Sequence, residues 1–184
     1  MLVEDAAIPG VKIVTPKKHG DARGFFSEVY NKKALADVGL HFEFVQDNHS
    51  FSAAKGTLRG LHFQIPPFAQ DKLIRAGRGR ILDVAVDIRR LSPTFGKHVA
   101  VELSAENWRQ LLVPVGFAHG YVTLEPDTEV LYKTTAVYSP ASDRGIAWDD
   151  PDIGVPWPLT SAGPILSDKD RRWPRLREAE ELFE

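Results

Sequence analysis

Apolar and β-branched residues fall along this chain in short runs rather than at helical spacing. FEFVQ at 42–46, KLIRA at 72–76, RILDVAVDI at 80–88, KHVAVEL at 97–103, RQLLVPV at 109–115 and EVLYKTTAVY at 129–138 all have strand length, and Gly, Pro, Asn, Asp or Ser punctuates most of the gaps. Gly77-Arg78-Gly79 reads as a hairpin turn, since glycine takes positive φ without steric cost, so the runs on either side are expected to pair antiparallel. Helical spacing is confined to NKKALADVGL at 31–40, which suits one short helix or two turns, and to the tail after Pro174, where RLREAEELFE predicts a C-terminal helix. Many short strands with marginal helices predict an all-β sandwich, jelly roll or barrel. No internal repeat or linker interrupts the pattern, and the Pro-rich stretch from Pro151 to Pro164 is expected to wrap over the surface without regular structure.

A length of 184 residues fits one domain, residues 1–184, large enough to bury a real core. Basic and acidic residues nearly balance, 23 against 25, so no overall field recruits nucleic acid or a membrane, and an anionic ligand must be met locally. Without cysteine there is neither a disulfide framework nor a thiolate metal site or nucleophile. No apolar run approaches a membrane span, and MLVEDAAIPG lacks the features of a signal peptide. A soluble cytoplasmic protein is the expectation.

The polar residues that interrupt the strand pattern carry the candidate chemistry. GTLRGLHFQ at 56–64 puts Arg59 and His62 into strand-like sequence, with Lys72 opening the next run. A charge there costs several kcal/mol unless it has a partner or a job. Strict alternation sets His62 on the face of Leu58 and Gly60 and turns Arg59 away, unless Gly60 hosts a bulge. Asp83 and Asp87 alternate around Ala85, which reads either as a wet cavity wall or as a solvent-facing strand. His119 lies among small residues in GFAHGY, either where a ligand approaches the backbone or in a tight bend. Tyr132 and Tyr138 fall at even spacing in one run, as two pocket phenols or two core aromatics. His-x-Gln at 62–64 replaces any His-x-His, and P-loop, GxGxxG and GxSxG signatures are missing, so no metal, nucleotide cofactor or serine nucleophile is expected. What remains suits proton abstraction beside a carbonyl: an imidazole as base, an ammonium to hold the enolate, and a phenol to return a proton.

The stretches DARGFFSEVYN, FVQDNHSFS, GTLRGLHFQ, KLIRAGRGRILDVAVDIR, SPTFGKHVAVELSAEN, PVGFAHGYVTL, LYKTTAVYSP, RGIAWDDPDIGVPWPL and PILSDKD follow one another across nearly the whole chain. On these the chain resembles the dTDP-4-dehydrorhamnose 3,5-epimerase family of cupin-type proteins. The resemblance implies a cupin-type jelly roll, a homodimer, no metal or organic cofactor, and a dTDP-linked 4-keto-6-deoxysugar as substrate. It implies that His62 is the general base, paired with Asp170, that Lys72 steadies the enolate and that Tyr132 donates the proton. Tyr138 resembles the aromatic that stacks on thymine, and Arg23, Phe26, Glu28, Gln46, Asn48, Arg59, His119, Asp143 and Lys169 match ligand-binding positions. SDKD at 167–170 also scans as a helix cap. Two positions depart from the family pattern: Asp71, where a small residue is usual before Lys72, and Asp143, where Glu is expected. The implied reaction is cofactor-independent epimerisation at C3 and C5 of dTDP-4-dehydro-6-deoxy-D-glucose. Mono-epimerisation or ketoisomerisation on the same scaffold, a silent sugar-nucleotide binding module and, last, a metal-dependent cupin oxygenase are the alternatives.

Overall fold

The computed structural model describes residues 1–184. In chain order the strands are β1 (Leu2–Asp5), β2 (Lys12–Thr15), β3 (His19–Asp21) and β4 (Gly24–Phe26). After helix α1 (Lys32–Ala36) come β5 (Gln46–Ser52), β6 (Leu58–Gln64), β7 (Lys72–Arg78), β8 (Arg80–Asp87) and β9 (His98–Ser104). The series ends with β10 (Gln110–Val113), β11 (Phe117–Thr123), β12 (Thr128–Thr134) and β13 (Asp143–Gly145). Two antiparallel sheets result, one ordered β1-β2-β10-β7-β12-β5 and the other β13-β6-β11-β8-β9, with β3 and β4 forming a separate hairpin. The all-β jelly-roll expectation is met. No helix is long and apolar enough to cross a membrane.

Three layers of apolar packing hold the sheets. Ile74, Leu111, Val113 and Val130 of the six-stranded sheet meet Ile81, Ala85, Val99, Leu103, Phe117 and Tyr121 of the five-stranded one. The outer face of the five-stranded sheet, carrying Leu61, Phe63, Val84, Val86 and Ala118, is covered by Ile146, Ile153, Leu176 and Ala179 from the C-terminal quarter. On the opposite side Leu35 of α1 packs with Val14, Leu73 and Leu112. The inner strands are therefore buried on both faces, which explains why RILDVAVDI looks apolar throughout apart from its two aspartates.

Several expectations need correction. The runs flanking Gly77-Arg78-Gly79 do not pair: β7 lies between β10 and β12, while β8 lies between β9 and β11 in the other sheet. Gly79 has φ +70°, and a Cβ there would meet Thr128 Oγ1 at 2.4 Å, so the glycine turns the chain from one layer to the next. A sheet-switching corner and a hairpin make the same demand on glycine, and only the neighbours distinguish them. FEFVQ enters a strand only at Gln46, because Phe42 and Phe44 turn instead onto the cluster around Leu35. EVLYKTTAVY leaves the sheet at Thr134, so Tyr138 shares no strand face with Tyr132.

The tail after Pro174 is not an α-helix. Only a 3-10 turn forms, at Leu176–Glu178. Beyond it the chain forms no further helix: it bends at Glu181, and Phe183 bridges Arg89 and accepts a 2.8 Å hydrogen bond from the Arg90 N–H. Burial of Leu176, Ala179, Leu182 and Phe183 against the sheet overrides a helix propensity worth only tenths of a kcal/mol per residue. Helix α1 begins where expected: Asn31 caps it by accepting from the Ala34 N–H, but it closes at Ala36.

Candidate active site

A cavity of about 440 Å³ opens between the two sheets. The five-stranded sheet contributes Leu58, Arg59, His62, His119 and Tyr121, the six-stranded sheet Ser50, Lys72 and Tyr132, and the segment before Trp173 closes one side with Ile165, Leu166, Ser167 and Asp170.

A bulge builds the first wall. Arg59 pairs with Tyr121 and His62 with His119, so Gly60 and Leu61 together oppose the single residue Gly120. The extra residue brings Arg59 and His62 to the same face and sends Leu61 into the outer core, which overturns the expectation that Arg59 points away. Both glycines are required by this close approach. A Cβ on Gly60 would lie 2.5 Å from Gly120 Cα, and one on Gly120 would lie 2.7 Å from the Arg59 carbonyl oxygen.

His62 Nε2 is 2.5 Å from Asp170 Oδ1, and the other carboxylate oxygen accepts from Ser167 Oγ at 2.7 Å. Burial alone would raise the Asp170 pKa, but the hydrogen bond and charge of His62, with help from Ser167, outweigh it and hold the carboxyl below its ordinary value. Asp170 is thus ionised beside Nε2, which favours the tautomer with the proton on that nitrogen and leaves Nδ1 with a lone pair. SDKD at 167–170 therefore forms a side-chain bracket with no α-helix behind it.

Lys72 is buried, and its Nζ donates to the His62 carbonyl oxygen at 3.3 Å. Desolvation pulls its pKa down to about 8, partly offset by the charges of Asp143 and Asp83. The preceding Asp71 points elsewhere: it accepts from the Val115 N–H at 2.9 Å and from Thr135 Oγ1 at 3.0 Å, so the departure at that position leaves the ammonium alone. Burial also raises the pKa of Tyr132, with Arg59 opposing the shift. Tyr121 is pushed up to about 12 by burial and shares a 2.7 Å hydrogen bond with Ser50. His119 Nε2 lies 2.9 Å from Asp83 Oδ1, forming a second imidazole–carboxylate pair on the cavity wall. Burial pushes the Asp83 carboxyl up, and His119 partly counters this.

The family model for dTDP-4-dehydrorhamnose 3,5-epimerase matches residues 5–178. The chain belongs to that family. It is 53% identical to the dTDP-4-dehydrorhamnose 3,5-epimerase of Sinorhizobium fredii over all of this chain and 94% of the relative. Among solved structures, the Bacillus anthracis enzyme with TDP and pyrophosphate bound superposes with a TM-score of 0.91 at 52% identity, covering 95% of this chain and 98% of that one. The Legionella pneumophila enzyme in complex with dTDP-4-keto-L-rhamnose gives 0.93 at 43% identity, covering 97% and 94%.

Of the residues that the family resemblance singled out, His62, Lys72, Tyr132, Asp170, Arg59 and His119 meet at the cavity. Tyr138, Asp143 and Lys169 form a neighbouring cluster. The Tyr138 hydroxyl donates to Asp143 Oδ2 at 3.1 Å, and Lys169 Nζ is bonded to the same oxygen. The shorter Asp143 thus still reaches two partners, and its charge is felt at Lys72 and Tyr132. Gln46 ties this cluster to β5, accepting from the Tyr138 N–H at 2.9 Å and donating to Asn48 Oδ1 at 2.8 Å. Arg23, Phe26 and Glu28 stand apart. Arg23 folds back onto Asp21, Glu28 accepts from Asn31, and Phe26 is 67% exposed. Asp83, Tyr121, Ser50 and Ser167 were not assigned to the site from sequence. Alternation from His119 points to Tyr121 and the three-residue step from Asp170 points to Ser167, but nothing local marks Ser50.

Proposed function

We propose that this chain is an isomerase that inverts C3 and C5 of dTDP-4-dehydro-6-deoxy-D-glucose, forming dTDP-4-dehydro-L-rhamnose in dTDP-L-rhamnose biosynthesis. One observation carries the mechanism: His62, braced by Asp170, stands on one wall of the cavity, while Lys72 and Tyr132 stand on the opposite sheet. His62 Nδ1 takes the proton next to the C4 ketone, and the C–H electron pair becomes the enolate double bond while the carbonyl pair moves to oxygen. The Lys72 ammonium stabilises that oxygen in a largely desolvated setting. Tyr132 delivers a proton to the other face as the enolate pair forms the new C–H bond and the carbonyl re-forms; the His62 imidazolium then releases its proton to water and the phenolate regains one, which resets both groups for the second carbon. Lys72 near pKa 8 is still mostly charged at neutral pH, which supports this role.

The Tyr138 ring serves as platform for the thymine, supported through Asp143 and Lys169. Arg59, His119, Gln46 and Asn48 hold the remaining ligand groups; Asn48 Nδ2 is buried without a partner and available to donate. The 184 residues act as one domain and pair as a homodimer, a reading supported by the β3–β4 hairpin that presents Phe25 and Phe26 to solvent.

Incubation with the nucleotide keto-sugar in deuterated water is expected to place deuterium at C3 and C5. Exchange at one carbon selects a mono-epimerase, and binding without exchange selects a silent module. His62→Ala is expected to lower turnover roughly 10²–10⁴-fold with the circular dichroism spectrum unchanged.

A further inference from the structure

The back of the His62 imidazole is closed by a residue that does not line the cavity. Gly145 pairs directly with His62 across β13 and β6. On that glycine sits the indole of Trp173, so tightly that a Cβ at position 145 would lie 2.4 Å from the ring. The indole meets the imidazole edge-on, with centroids 6.0 Å apart and planes at 69°. Lys169 Nζ stands 5.3 Å from the indole centroid, and the Pro174 carbonyl accepts from the Ala147 N–H at 2.7 Å, fixing both sides of the residue. Behind the indole a second hollow of about 240 Å³, lined by Phe63, Arg144, Pro174 and Glu178, opens to solvent. Trp173 Nε1 is buried and has no hydrogen-bond partner, so the side chain gives up a polar contact to occupy this seat.

We propose that Trp173 is a positioning residue: packed on Gly145, it fixes the plane of the His62 ring and separates the His62–Asp170 pair from water in the hollow behind. His62 needs such a wall. Its side chain is 30% exposed, and Asp170 restrains it at one nitrogen only, which leaves rotation about that hydrogen bond open. A small displacement of a base from its near-attack position costs rate without weakening ground-state binding. Trp173 contributes this through shape alone, so phenylalanine can replace it and alanine cannot. The kinetic part of this inference rests on the epimerase reading.

The experiment compares Trp173→Ala, Trp173→Leu and Trp173→Phe with the unsubstituted protein, by steady-state kinetics across pH and by titrating the ring nitrogens in ¹⁵N-histidine-labelled protein. Trp173→Ala is expected to lower kcat roughly tenfold with KM changed less than about twofold, and to alter both the acid limb of kcat and the His62 titration. Trp173→Phe is expected to restore both. An alanine variant that loses thermal stability yet keeps the kcat profile and His62 titration of the unsubstituted protein overturns the proposal, as does a phenylalanine variant that fails to restore them. Should Trp173→Ala not fold, Trp173→Leu decides on the same two readouts. A protein that catalyses no isotope exchange defeats the epimerase reading, while the ¹⁵N titration still tests the positioning role on its own.

Discussion

At the scale of single residues, the site is a set of ionisable groups whose environments push them in different directions. Lys72 shows the consequence most clearly, because burial sets its pKa at about 8 against an ordinary 10.5. Between these values the unfolded chain binds a proton that the folded chain does not, so its contribution to folding stability rises with pH across that window. Catalysis runs the other way, since only the ammonium can steady an enolate. kcat/KM is therefore expected to fall as pH rises through about 8, while urea midpoints rise from pH 8 to 10. Lys72→Met should remove this lysine's contribution to the rise in stability and lower turnover at every pH. A midpoint trend identical in the variant would show that another group controls it. The residue types were legible in the sequence, and the family resemblance proposes a role for each. The Asp83–His119 pair was not, because a carboxylate alternating with alanine looks the same on a wet strand as in a cavity wall.

Elements decide which way these side chains face. Two-residue periodicity placed Arg59 and His62 on opposite sides of β6, and the bulge at Gly60 and Leu61 reversed that. The reversal needs Gly60 at φ +129° against Gly120, with no room for a side chain on either. Gly60→Ala is expected to destabilise the protein by roughly 2–5 kcal/mol, combining backbone strain with overpacking, and to lower turnover further by rotating His62 out of register. Chemical denaturation together with the isotope-exchange rate checks both parts; a variant of normal stability would mean that the strands part easily there. The same ambiguity explains the corner at Gly79. A glycine announces that the backbone must turn, yet whether the turn pairs its flanks or passes them to different layers depends on strands far away in sequence.

For the whole molecule, the C-terminal quarter does what a second layer of helices does in other folds. It buries the outer face of the five-stranded sheet and carries Asp170 to His62 across 108 positions of chain. Ending the chain after Arg175 removes Leu176, Ala179, Leu182 and Phe183 from that face and is expected to cost on the order of 4 kcal/mol. Because the loop bearing Asp170 lies just before the cut, turnover should fall along with the thermal midpoint. Retention of both would mean that the tail merely lies on the surface.

By itself the sequence determined the all-β class, the strand-length runs, the start of the one helix, and, through motifs spread along the chain, the family. These are carried by local composition and short-range order, which need no knowledge of distant partners. Only the tertiary structure decided that β7 and β8 part company, that Arg59 joins His62 on the cavity side, that the tail forms no α-helix, and that Trp173 backs the imidazole. Each of these depends on which surfaces meet and how closely, and burial against a distant strand outweighs the small local preferences that a linear reading can sum.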